Sequence, residues 1–160
     1  YNHPGKDCVC APGVVQKYLN KISGPLLDRI DIHLEVVPVP FRKLSEMNGS
    51  EKSESVRERV IRARNIQEER FKEHKGVYAN AQMNSKQIRA FVQLDEESIE
   101  LIKNAMDRLG LSARAYDRIL KVARTIADLE AEENVQAHHL SEAIHYRSLD
   151  RENWGGQESW

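Results

Sequence analysis

Hydrophobic positions in this chain change period twice, and the changes divide it. In "APGVVQKYLNKIS", Val14, Val15, Tyr18, Leu19 and Ile22 recur at helical spacing, with Pro12 near the expected start and Gly24-Pro25 as a stop. This predicts a helix of about three turns. Ile30, Ile32, Leu34 and Val36 then alternate with Arg29, Asp31, His33 and Glu35, the period-2 signature of a half-buried strand ended by Pro38. One strand cannot be a sheet, so its neighbours are expected in a longer polypeptide of which this chain is the C-terminal piece.

The stretch "SEMNGSEKSES", residues 45–55, is Ser-rich, contains Asn48-Gly49 and reads as a linker. Beyond it the pattern is helical throughout. Val56, Val60, Ala63, Ile66 or Gln67, and Phe71 mark one face of a long charged helix ending near Lys75-Gly76. Its alternating Glu and Arg form a solvated face rather than a nucleic-acid track. Ser85 opens a short helix carrying Ile88, Phe91 and Val92. Asp95 caps the next, with Ile99, Ile102, Met106 and Leu109 inward and Gly110 as its stop; Ser112 caps another, on which Tyr116, Ile119, Leu120, Ala123, Ile126 and Ala127 recur. A last helix over 136–146 carries Leu140, Ala143 and Ile144. The expected fold is mainly α, an antiparallel helical bundle over 56–147 preceded by one helix and one strand within 1–44, with a disordered tail over 148–160.

Composition narrows the classes. The chain has 160 residues, 40% hydrophobic and 31% charged, and no apolar run near the roughly 20 residues that span a bilayer. The first residues lack a signal-peptide pattern, so a cytoplasmic protein without membrane association is expected. A net charge of -1 gives no global attraction to nucleic acid. Locally, 101–124 holds six Lys or Arg against two Asp, whereas 125–160 holds eight acids against two Arg. A local anion site in the basic stretch is therefore open.

Two motifs carry a resemblance, "ISGPLLDRIDIHLEV" over 22–36 and "LGLSARAYDRILKVARTIADLE" over 109–130. Together, in this order, they resemble the C-terminal half of the magnesium-chelatase-like AAA+ ATPases of the ComM/YifB group, over about 5–147. The resemblance implies a hexameric ring ATPase that binds nucleotide between a core domain and a helical lid, completed by a neighbouring subunit. It further implies a DNA partner and branch migration during natural transformation. On it, 1–44 is the end of the ATPase core and 56–147 the lid. Arg29 aligns with the arginine finger acting in trans, and Arg114 with the sensor-2 arginine. The sequence contains no G-x-x-x-x-G-K-[ST] and no Walker-B acid pair. ATP and Mg2+ are thus expected in the full-length protein, with no bound cofactor and no hydrolysis by this stretch alone.

Each candidate also has a plain reading. A guanidinium at Arg29 can stabilise charge developing on a transferring phosphoryl group, or pair with Asp31 on the same strand face. With Ser112 as cap, Arg114 falls at the second helical position, where the helix dipole disfavours a cation unless an anion docks there. Its alternatives are water or a neighbouring acid such as Asp117. Arg118, one turn on, could back the same anion or lie solvated. Cys8 and Cys10, with His3 nearby, form half of a zinc-site spacing, and two free thiols are the expectation for this stretch. His138, His139 and His145 lack an H-E-x-x-H pattern and read as surface or capping residues. No nucleophile and base constellation is visible. A second function class, a standalone helical module binding DNA or protein through 101–124, shares most of these features; the orphan strand argues against it. Without that strand's partners, residues 1–50 are expected to pack poorly.

Overall fold

The computed structural model describes residues 5, 7–36, 38, 39 and 51–147. The predicted tail and most of the linker lie outside them, as does His3. Seven helices occur among the described residues: α1 (Pro12–Leu19), α2 (Gly24–Leu27), α3 (Ser53–Phe71), α4 (Ser85–Phe91), α5 (Glu96–Arg108), α6 (Ala113–Glu130) and α7 (Ala137–His145). A 3-10 turn, Asn80–Gln82, lies between α3 and α4.

α6 is the axis of the bundle. Its buried residues Ala115, Ile119, Leu120, Ala123, Ile126 and Ala127 follow the 3.6 period, and the helix packs against α3, α4, α7 and the 3-10 turn. α5 leans on α7. Phe71, Met83, Ile88, Val92, Ile102, Val135, Leu140 and Ala143 complete one continuous core.

Side-chain caps set where these helices begin. The Asn84 side chain accepts from the Gln87 amide while Gln87 reaches back to the Asn84 amide, both at 3.0 Å. Asp95 accepts from the Ser98 amide at 2.8 Å, and Ser112 from the Ala115 amide at 3.2 Å. The cap of α4 is thus Asn84, one residue before the predicted start. α3 stops at Phe71, earlier than its charge pattern suggests, and Gly76 takes the positive φ of 81° in the turn that follows. Only the second half of α3 is buried; Val56 and Val60 are exposed.

The predicted strand is not seen. Residues 30–36 form no ladder among the described residues, and the apolar set Ile30, Ile32, Leu34 and Val36 faces solvent while His33 is buried. Alternation creates an apolar face but supplies no partner for the backbone N–H and C=O groups, and a strand holds only where those are paired. What pairs here is different. The His33 amide donates to the Tyr146 carbonyl at the end of α7 at 2.7 Å, and the Arg147 guanidinium donates to the Ile30 carbonyl. α1 is shorter than expected, ending at Leu19, and the Gly24-Pro25 stop is itself the first turn of α2.

Candidate functional site: exposed arginines on a buried ionic frame

Arg114 is the second residue of α6 and exposed, and its side chain makes no hydrogen bond or ion pair with another described residue. Asp117, its nearest sequence alternative, instead accepts from the Ser85 hydroxyl at 2.8 Å. Arg114 therefore belongs to the first turn of α6, the end whose backbone N–H groups carry partial positive charge, with no counter-anion supplied by those residues.

Arg29 is exposed in the turn after α2, and its Nη1 donates to the Pro25 carbonyl four residues back at 2.6 Å. The alternative offered for it, a pair with Asp31, does not form. Asp31 pairs with Arg118 of α6, across 87 positions of sequence. This contact tethers the Arg29 turn to α6 one helical turn beyond Arg114. It also engages Arg118, whose Nε is buried without a hydrogen-bond partner.

Toward the other end of α6 lies a network that sequence reasoning missed. Asp128, fully buried, accepts from Arg70 Nη1 and Nη2 at 2.7 and 2.5 Å, from Arg124 Nε at 3.1 Å and from Asn80 Nδ2 at 2.7 Å. Arg124 extends the frame by donating to the carbonyls of Glu132 and Glu133, each at 2.6 Å. Burial pushes the Arg124 pKa down from its ordinary value and the Asp128 charge opposes that shift. The frame joins α3, the 3-10 turn, α6 and the α6–α7 connection. One signal could have found it, since Arg124 and Asp128 stand four apart beside Leu120 and Ala127, on the apolar side of α6. The basic stretch 101–124 accordingly presents less charge than its count. Arg124 is buried, Arg118 is paired, and Lys121 Nζ donates to the Ala81 carbonyl at 2.9 Å.

Cys8 and Cys10 are exposed free thiols. Hydrogen bonds from the Cys10 backbone and side chain lower the Cys8 pKa, and the same side-chain contact raises that of Cys10. His139 is a capping residue, its Nδ1 accepting the Gln136 amide at 2.9 Å. His138 is exposed, with its Nε2 3.2 Å from Glu130 Oε2.

Residues 50–147 match the family described as magnesium chelatase, subunit ChlI C-terminal, and residues 1–44 match magnesium chelatase, subunit ChlI. The chain belongs to this magnesium-chelatase family. Its helical bundle spans the residues of the ChlI C-terminal match, and the chain is a magnesium-chelatase-like protein of the ComM/YifB group. It is 42% identical over 142 residues to the competence protein ComM of Haemophilus influenzae, covering 88% of this chain and 27% of that protein. To YifB of Escherichia coli it is 39% identical over 151 residues, covering 94% and 29%, and to Rv2897c of Mycobacterium tuberculosis 32% over 142 residues, covering 89% and 28%. The chain thus spans less than a third of the length of these relatives. No helix among the described residues is long and apolar enough to cross a membrane.

Proposed function

We propose that this chain is the lid and arginine-bearing flank of a cytoplasmic, ring-forming AAA+ ATPase that uses ATP and Mg2+ to drive remodelling of DNA such as branch migration. The observation that carries the reading is Arg114, an exposed cation at the N-terminus of α6 without an anion among the described residues. A nucleotide phosphate placed there would meet the guanidinium and free backbone N–H groups together, which offsets the unfavourable dipole position. Arg114 then senses nucleotide through the lid. Arg29 acts as the finger toward a neighbouring subunit, where a fixed planar cation stabilises charge on the transferring phosphoryl group. The Asp31–Arg118 pair keeps the Arg29 turn in register with α6, leaving Arg118 a minor part in nucleotide contact. The DNA-working role and the association into a hexamer come from the resemblance to ComM. A zinc site completed around Cys8 and Cys10 by residues outside the described region belongs to the same proposal.

The test is ATP turnover by the full-length protein carrying Arg29→Ala or Arg114→Ala, with ring formation followed by light scattering. Loss of an arginine finger lowers kcat by about a thousandfold or more with the ring intact. Turnover within twofold of the parent in either variant would remove that residue's role.

A further inference from the structure

The junction of α6 and α7 gathers four side chains of metal-ligating type that the nucleotide-facing surface does not use: Glu130, Glu132, His138 and His139. One potential donor atom from each lies within 4.8 Å of all the others. We propose that Glu130, Glu132 and His138 form a binding site for a divalent first-row transition ion, with Zn2+ the ion best suited.

The two histidines divide their work. His139 is fully buried, and its Nδ1 accepts the Gln136 amide at 2.9 Å, so the proton of the neutral ring resides on Nε2. That Nε2 faces Glu130 Oε2 at 3.2 Å and donates to it. His139 therefore cannot give a lone pair to a metal without losing the cap of α7. It orients a ligand instead, as outer partners of metal-bound carboxylates do. His138 has no such constraint. Its Nε2 lies 3.2 Å from the same Glu130 oxygen, and its ring is half exposed, so a metal ion can replace the proton held between them. Glu132 is held in turn by Gln136, whose Nε2 donates to Oε2 at 2.6 Å and leaves the other oxygen available.

Two carboxylates neutralise a divalent charge, and the imidazole selects transition ions over Mg2+ or Ca2+. Ligand atoms about 2.1 Å from a tetrahedral ion lie about 3.4 Å apart, so donor pairs separated by as much as 4.8 Å must close by up to about 1.4 Å, a movement that side-chain rotation supplies. Glu130 and Glu132 flank Ala131, whose left-handed backbone at φ 60° ends α6 and turns both carboxylates toward α7. The site would fasten the connection whose carbonyls Arg124 already holds.

The experiment uses the complete 160-residue chain with Cys8→Ser and Cys10→Ser, which removes the thiol ligands. Zn2+ titration by calorimetry is expected to give one saturable site per chain and a Zn2+-dependent rise in the urea midpoint. His138→Ala, at the exposed ring, and Glu132→Gln, which keeps the shape of the half-buried side chain, are expected to abolish both effects while leaving the far-ultraviolet circular dichroism unchanged. Gln136→Ala weakens binding about tenfold. Absence of saturable binding by the cysteine-free chain, or equal binding after His138→Ala, overturns the proposal.

Discussion

Replacing Asp128 by Ala should be among the most damaging single changes in the bundle. The carboxylate is fully buried and accepts from Arg70, Arg124 and Asn80. Its removal leaves the Arg124 side chain, 2% exposed, beside the Arg70 guanidinium with no counter-charge between them. Breaking a buried pair from one side costs about 3–5 kcal/mol, because the remaining charge stays desolvated. A domain of this size has only about 5–15 kcal/mol in total. With a urea m-value of about 2 kcal/mol/M, a loss of about 4 kcal/mol lowers the midpoint by about 2 M. Urea unfolding followed by circular dichroism measures this directly. Arg124→Lys provides a graded control, since it keeps the charge but cannot reach Asp128 and both carbonyls with one planar fork, and about 1–3 kcal/mol is expected. A midpoint shift below about 0.5 M for Asp128→Ala would mean that water or rearrangement satisfies the arginines, and the frame would lose its structural role.

Other expectations concern the caps and the docked segment. The hydrogen bond from the Ser98 amide depresses the Asp95 pKa, so the capping carboxylate stabilises the fold above its unfolded-state pKa and loses that contribution as pH falls through the lower folded-state value. Asp95→Asn keeps a competent cap, so its stability should be flatter than the parent's below about pH 4, measured as urea midpoints at pH 3 and 6. Hydrogen exchange at the His33 amide, which donates to Tyr146, should be slower than at Ile32 and Leu34; equal rates would remove the docking. Arg118→Ala breaks a partly exposed pair with Asp31 and should cost about 1 kcal/mol while speeding exchange at His33.

The helical bundle was legible because each of its signals is local. On α6 the 3.6 period marks the face that is buried, and Asp95 and Ser112 begin their helices because the atoms they satisfy lie three residues away. Arg114 could be placed at a helix N-terminus on the same ground. The rest depended on distant partners. Ile30 to Val36 alternates as a strand does, yet the outcome is decided by whether another strand pairs with it, and here the end of α7 takes His33 instead. Arg29 stands apart from Asp31 only because Arg118, 87 residues on, claims that carboxylate. Arg124 and Asp128 count as ordinary charges until α3 and the 3-10 turn bring Arg70 and Asn80 over them, which makes burial affordable. Periodicity and capping act within a few residues and are written in the sequence; pairing of charges and backbone edges is settled by which elements meet, and that only the tertiary structure decides.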